Sequence, residues 1–309
     1  MTVEGGEQVE GSELLVIAGP TASGKTALAV ELAERCGGEI VSADSQQLYR
    51  WFDIGTAKPG AGELRRVPHH LVSVVEPTEQ LNAGRYRELA EAAIADIRAR
   101  GRRPIVVGGT GLYLRVLLHG VMPGPGASGE IRARIKRQAA EHGREALHRR
   151  LAEVDPESAA RILPRDLVRV ERALEIYELT GAAASAGRRA HGFRELRHPF
   201  RMYVLDPPRE ALYSAIDARV QRMFERGLLE EVRSLVARGF RDAPPMRSLG
   251  YAQALEVVEG KLSVEAAIEV AARQTRRYAK RQLTWFRKEP GAQLIRPPYP
   301  ELRAELTGR

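Results

Sequence analysis

The chain has 309 residues, 43% hydrophobic and 28% charged, which suits a soluble globular protein with room for a sizeable core and a second lobe. No run of 18 apolar residues occurs, which argues against a membrane span, and a single cysteine, Cys36, excludes an intramolecular disulfide and any multi-cysteine zinc site. With 48 Lys+Arg against 40 Asp+Glu the net charge is +8, which points to a polyanionic partner only where the excess is concentrated.

The opening MTVEGGEQVEGSE is acidic and polar and has no basic start followed by an apolar stretch. Residues 1–13 therefore read as a short flexible tail on a cytoplasmic protein. Strand-like runs follow: ELLVIAG ending at Gly19, GEIVSAD at Asp44, HHLVSVVEP at Pro77 and RPIVVGG at Gly109. Helical patterns separate them, from Lys25 to Cys36 and from Ala83 to Arg100. Nearly all-apolar strands alternating with helices predict a parallel sheet covered on both faces. FRMYVLDPP near Phe200 and AQLIRPP near the end predict two further strands.

Pro123, Gly124, Pro125, Gly126 and Gly129 mark a boundary. From Glu130 to Gly192 only helical patterns appear, apart from TGAAASAGRRAHG, which reads as a small, basic, mobile segment. Two more helical stretches run from Arg209 to Gly239 and from Tyr251 to Lys288. The predicted class is α/β: a P-loop-type parallel sheet flanked by helices, built from residues 14–122 and 198–309. A mostly helical insertion domain, residues 123–197, interrupts it.

Gly19-Pro20-Thr21-Ala22-Ser23-Gly24-Lys25-Thr26 fits G-x-x-x-x-G-K-[ST], with a strand before it and a helix after it, as the motif requires. Such a loop turns backbone N–H groups toward an anion, and the helix N-terminus adds partial positive charge. Lys25 supplies a full charge, and the Thr26 hydroxyl can ligate Mg²⁺. A hydrolysed nucleotide is the default ligand, yet a Walker B strand should end in an acid. Here PIVVGGTGLYL runs into Gly-Gly-Thr instead. The strand end carrying a carboxylate is IVSADSQQLY, which sets Asp44 at the same sheet edge as the loop. From the residues alone, Asp44 is open to three roles: metal ligand, general base or N-cap.

AARQTRRYAKRQLTWFRK, residues 271–288, holds Arg273, Arg276, Arg277, Lys280, Arg281, Arg287 and Lys288 and no acid. Helical spacing lines up Arg273, Arg277 and Arg281, with Tyr278, Gln282 and Trp285 interleaved. Guanidinium groups reach phosphates and aromatic rings stack on unpaired bases, so this face predicts RNA contact, with Phe286 in the core. His69 and His70 are adjacent on a strand, point to opposite faces and are assigned no ligand role.

GPTASGKT, SADSQQLY, DIGTAKP, GGTGLYL, RSLGYAQ and RQTRRYAKRQLTWFRK, in that order from Gly19 to Lys288, resemble the successive motifs of the tRNA dimethylallyltransferases. These are also called tRNA isopentenyltransferases, and the bacterial type has no added zinc finger. The resemblance implies transfer of a dimethylallyl group from dimethylallyl diphosphate to N6 of the adenosine just 3′ of the anticodon, with Mg²⁺ assisting. The phosphate loop, Gly19, Pro20, Thr21, Ala22, Ser23, Gly24, Lys25 and Thr26, would then hold the diphosphate leaving group, with Thr26 at the metal.

The resemblance further implies Asp44 as general base, with Lys25, Thr110 and Arg219 acting at the diphosphate and the reacting base. Thr110 is equally placed to cap the helix of GLYLRVLL. Implied tRNA contacts are Asp44, Ser45, Gln46, Gln47, Thr110, Arg132, Arg169, Arg172, Arg247, Gly250, Tyr251, Lys280, Arg281, Gln282, Trp285 and Arg287. The implied partner is the anticodon stem-loop, bound by a monomer that needs no protein partner. The alternatives are an isopentenyltransferase for free adenine nucleotides, a P-loop small-molecule kinase and a non-catalytic RNA-binding protein. The insertion and the basic stretch argue against the first, and the missing Walker B acid against the second.

Overall fold

A computed structural model describes residues 13–121, 124–192, 195–299 and 302. The expected tail (residues 1–12 of it) and the boundary residue Pro123 lie outside the described residues. Six strands form one sheet: β1 (Leu14–Ala18), β2 (Gly38–Ser42), β3 (His69–His70), β4 (Arg103–Gly108), β5 (Phe200–Leu205) and β6 (Ala292–Ile295). Their order is β3-β2-β4-β1-β5-β6, and every pair is parallel.

The alternation of side chains along a strand builds two cores from β1. Leu14 and Val16 face one core with Tyr86, Ile94 and Ile97 of α3 (Ala83–Ala99). Leu15 and Ile17 face the other with Leu28, Leu32 and Ala33 of α1 (Lys25–Cys36). All five β1 residues are buried, which is why this strand reads as an unbroken apolar run.

Two elements differ from expectation. HHLVSVVEP pairs with the sheet only at His69 and His70. Leu71 and Ser73 then turn through positive φ, and the chain leaves the sheet to bond the segment after Asp44: Ser73 N–H to the Gln47 carbonyl (3.0 Å) and Val74 N–H to the Leu48 carbonyl (2.8 Å). The backbone of this segment is thus paired with a loop and not with a neighbouring strand, and Val74 is left exposed.

The second difference is TGAAASAGRRAHG, which contains a helix. The chain divides into two compact units, residues 1–118 with 197–309, and residues 119–196. In the smaller unit, α5 (Gly129–His142), α6 (Arg144–Val154), α7 (Pro156–Arg161), α8 (Leu167–Thr180) and α9 (Ala184–His191) follow α4 (Gly111–His119) of the chain. Ile135, Leu147, Leu151, Val170 and Leu174 make its core. The carboxylate of Asp155, 1% exposed, caps α7 through Ser158 N–H and also accepts Ser185 N–H at 2.9 Å. That second bond anchors α9, and no short-range pattern announces it.

In the larger unit, α2 (Ala61–Arg66) precedes β3, while α10 (Arg209–Glu225), α11 (Leu228–Ala237), α12 (Tyr251–Val258) and α13 (Val264–Phe286) lie between β5 and β6. Among the described residues, no helix is long and apolar enough to cross a membrane.

Candidate active site

A cavity of about 390 Å³ opens at the carboxyl ends of the strands, a size ordinary for a small-molecule site. All of its lining comes from the larger unit. Thr21, Lys25 and Thr26 of the phosphate loop line one side, and Asp44, Ser45, Gln46 and Gln47 another.

The loop connects β1 to α1 and curls through Ala22 at φ 62° and Gly24 at φ 85°. Gly24 sits at the N-cap with open space around its missing side chain, so conformation and not crowding requires glycine there. Lys25 folds back so that Nζ donates to the Pro20 carbonyl at 2.6 Å. Burial lowers its pKa to about 7, Asp44 pulls it up and Arg219 pushes it down. The buried Ser23 hydroxyl has no hydrogen-bond partner among the described residues. A buried cation that pays to stay charged and an unused hydroxyl both fit an anion as ligand.

Asp44 follows the end of β2, where Ala43 N–H still bonds the Val107 carbonyl at 2.7 Å. Its Oδ1 accepts Gln46 N–H at 2.8 Å and Gln47 N–H at 3.4 Å. No helix starts here, so the bonds brace a turn and are not a helix N-cap, and one oxygen makes both. Oδ2 takes no hydrogen bond among the described residues. Thr110 also faces this loop: its Oγ1 accepts Ser45 N–H at 3.0 Å, while its carbonyl accepts Tyr113 and Leu114 N–H to start α4. Arg219, on α10, lines the cavity and reaches within 3.5 Å of the Thr56 carbonyl. Burial lowers its pKa and Asp44 opposes that. Asp44 thus lies in the electrostatic field of two cations, Lys25 and Arg219.

DIGTAKP contributes Gly55, Thr56, Ala57 and Pro59 to the lining. Glu231 of α11 fixes this loop, accepting Ile54 N–H at 2.9 Å, Asp53 N–H at 3.3 Å and the Tyr251 hydroxyl. A Cβ on Gly55 would lie 2.4 Å from Cε2 of Tyr251, so the two motif residues specify each other. Tyr251, expected among the RNA contacts, is 0% exposed and packs edge-on against Phe52 at 4.9 Å; the structure gives it an internal role. Gly250 and Arg247 do line the cavity.

On α13, Arg273, Arg277, Lys280 and Arg281 are exposed, while Ala271, Ala279, Gln282 and Phe286 are buried on the opposite side. Tyr278 and Arg281 line the cavity, and burial pushes the Tyr278 hydroxyl up to about 12. The acid-free stretch finds acids elsewhere in the fold: Arg273 pairs with Glu269 (3.1 Å), Arg276 with Asp217, and Arg287 with Asp206 (3.3 Å). Arg277, Lys280 and Arg281 form no ion pair among the described residues. Trp285 is half-buried beneath the Arg115 guanidinium, 4.4 Å from its ring centre.

In the smaller unit, Arg132 grips the 0%-exposed Glu175 with two bonds of 2.9 and 3.0 Å. Arg172 adds a third at 2.6 Å, and Ser128 N–H a fourth at 2.7 Å. Burial pushes the Glu175 carboxyl up, but these four bonds from three partners outweigh it and hold it near 2. Arg132, expected to contact RNA, therefore ties α5 to α8, and Arg172, also expected to, braces Glu175 within α8 and donates to the Pro125 carbonyl at 2.7 Å, whereas the exposed Arg169 forms an ion pair with Asp166 at 3.0 Å.

Sequence reasoning missed Glu231, for which no local signal exists. It also missed Asp206, a buried acid at the end of β5 in VLDPP that has the strand-end signature sought in β4. No group of three or more acidic, His or Cys side chains suited to hold a metal occurs among the described residues.

The family model described as IPP transferase matches residues 47–289, and the one described as isopentenyl transferase matches residues 12–73. The tRNA dimethylallyltransferase of Myxococcus xanthus is 65% identical over 286 residues, covering 93% of each chain. That of Anaeromyxobacter sp. (strain Fw109-5) is 57% identical, covering 93% of this chain and 96% of the relative. The crystal structure of the full-length tRNA isopentenylpyrophosphate transferase from Bacillus halodurans superposes with a TM-score of 0.70 at 37% identity, covering 96% and 95% of the two chains. A eukaryotic dimethylallyltransferase captured acting on tRNA gives a TM-score of 0.77 at 30% identity, covering 92% of this chain and 74% of that one. With the family model spanning most of the chain and the loop, the acid and the basic helix in one parallel-sheet framework, this chain belongs to the IPP transferase family, that of the tRNA dimethylallyltransferases.

Proposed function

We propose that this protein transfers a dimethylallyl group from dimethylallyl diphosphate to N6 of the adenosine 3′-adjacent to the anticodon of tRNA. The observation that carries the reading is one cavity lined by both a diphosphate loop and a carboxylate, Asp44, and bordered by the basic helix α13. A kinase or ATPase needs the loop, but not an unengaged carboxylate oxygen beside an RNA-compatible cationic face.

An exocyclic adenine amine is a weak nucleophile because its lone pair is delocalised into the ring. Asp44 Oδ2 accepts the N6 proton as the N6–C1 bond forms, while the C1–O bond breaks and its electron pair leaves with the diphosphate. Lys25, the loop amides and Arg219 stabilise the charge that develops there. The hydroxyl of Thr26 would hold Mg²⁺ beside the diphosphate, where the ion would supply neutralisation of leaving-group charge. Gln46, whose Oε1 is buried without a partner, is placed to read an adenine edge once the base is extruded from its stack.

The test is incubation with dimethylallyl diphosphate and either tRNA or AMP, followed by mass spectrometry of the products. Prenylated adenosine in tRNA is expected. Prenylated AMP with unmodified tRNA would sink the reading, as would ATP-dependent phosphorylation without prenyl transfer.

A further inference from the structure

We infer that Gln282 is a positioning residue for the diphosphate loop: a buried carboxamide on α13 that ties this loop to the turn carrying Thr110. The inference rests on reading Gly19–Thr26 as the donor loop. Gln282 is 7% exposed, so it turns inward while its neighbour Arg281 faces out. Its Oε1 accepts Thr21 N–H at 2.9 Å, and its Nε2 donates to the Gly109 carbonyl at 2.8 Å. The two bonds have opposite polarity, so one amide orientation satisfies both. The flipped orientation would set NH₂ against N–H and oxygen against oxygen.

The connection extends further. Gly109 precedes Thr110, whose hydroxyl accepts Ser45 N–H in the loop of Asp44. One side chain therefore closes a path of hydrogen bonds from the leaving-group loop, through Gly109 and Thr110, to the loop of the proposed base. Fixing those two loops relative to each other is what an in-line displacement needs, because a misplacement of about 1 Å costs on the order of 10²-fold in rate. Gly109 is matched to this role: a Cβ there would lie 2.3 Å from Gln282 Nε2 and 3.2 Å from the Gly19 carbonyl oxygen. The glycine admits the carboxamide, and the carboxamide occupies the space a side chain would fill. Gln282 consequently acts on donor binding and on turnover, and not as a direct RNA contact.

The experiment compares Gln282→Met, which keeps the side-chain length and removes both bonds, with Gln282→Glu, which keeps an acceptor for Thr21 N–H and removes the donor. Inorganic diphosphate binding at fixed Mg²⁺ is measured by calorimetry, tRNA affinity by filter binding, and kcat and donor KM in the prenyl-transfer assay. Gln282→Met should weaken diphosphate binding and lower kcat by about tenfold each, with tRNA Kd within about twofold of wild type. Gln282→Glu should weaken diphosphate binding at least as much while its thermal melt stays cooperative. Gly109→Ala should be defective alone, and combining it with Gln282→Ser should raise donor KM little beyond Gln282→Ser by itself, because the carboxamide that the methyl displaces is already gone. A loss of tRNA affinity with diphosphate binding unchanged would overturn the inference in favour of a direct RNA contact, and unchanged constants throughout would overturn it outright. Wild-type protein that binds no diphosphate would instead refute the reading of the loop itself, whatever the variants do.

Discussion

The pKa of Lys25, lowered to about 7, makes diphosphate binding a proton-uptake reaction. The sign follows from which form each state prefers. Burial disfavours the ammonium, so above pH 7 the free protein holds Lys25 mostly neutral, whereas a bound diphosphate favours the charged form. Binding must then draw a proton from solution, and affinity must fall as pH rises. For a pKa of about 7, roughly 0.9 of the lysines are neutral at pH 8 and roughly 0.1 at pH 6. Binding should therefore take up about 0.9 proton at pH 8 and about 0.1 at pH 6, and the Lys25 contribution to affinity should drop about tenfold between them. The assay is calorimetric titration with inorganic diphosphate in buffers of different ionisation enthalpy, at fixed Mg²⁺. Lys25→Arg is the control, since a guanidinium stays charged throughout and subtracts the ligand's own ionisation. Equal uptake by wild type and Lys25→Arg, or uptake that does not grow between pH 6 and pH 8, would refute the assignment of a lysine that is mostly neutral above pH 7 before diphosphate binds.

Four further outcomes are expected. Asp44→Asn keeps an oxygen to accept Gln46 N–H, so the melting temperature should hold while kcat falls on the order of 10²-fold or more; near-normal kcat would end the role of Asp44 as base. Gly55→Ala places a methyl 2.4 Å from the Tyr251 ring and should cost about 1–3 kcal/mol in unfolding experiments together with a raised donor KM. Arg281→Ala should weaken tRNA binding and flatten the dependence of log Kd on log salt without changing diphosphate affinity; an unchanged slope would remove Arg281 from the RNA surface. Glu175 has a carboxyl held near 2, below its unfolded value, so the stability it contributes is present above about pH 4.5 and is lost as pH falls toward 2. The loss, on the order of 2 kcal/mol after discounting for half-exposed arginines, should appear as lower hydrogen-exchange protection factors, with the intrinsic pH dependence divided out, in α5 and α8 at pH 3 than at pH 5, and Glu175→Gln should abolish the difference.

The fold was legible in the sequence because its determinants are local and periodic. Buried parallel strands read as apolar runs, helices as amphipathic repeats, and the phosphate loop as a fixed spacing between a strand and a helix. The segment after His70 misled because its backbone, though it carries valines at strand spacing, bonds the loop after Asp44, and only the fold brings that loop near. The helix Ala184–His191 was hidden for a similar reason: the bond that fixes its start comes from Asp155. Charge was the least legible property. A run with no acid suggested seven free cations, yet Asp206, Asp217 and Glu269 neutralise three of them, and Glu175 claims Arg132 and Arg172.

What the motifs share physically is complementarity of glycine and bulk. Gly55 of DIGTAKP lacks a side chain where the Tyr251 ring of SLGYAQ packs, and Gly109 of GGTGLYL lacks one where Gln282 of KRQLTWF reaches. Read singly, each glycine signals only a turn and each large residue only a surface or core position. Read as pairs, they require motifs 196 and 173 residues apart to be kept together, since enlarging one member forces the other to move. Tyr251 and Gln282 accordingly belong to the framework that holds the donor loop and the DIGTAKP loop in place. Arg277, Lys280 and Arg281 on α13, exposed and without an ion pair among the described residues, with Arg247 in the cavity wall, are where substitution should most reduce salt-dependent tRNA binding if the proposed function holds.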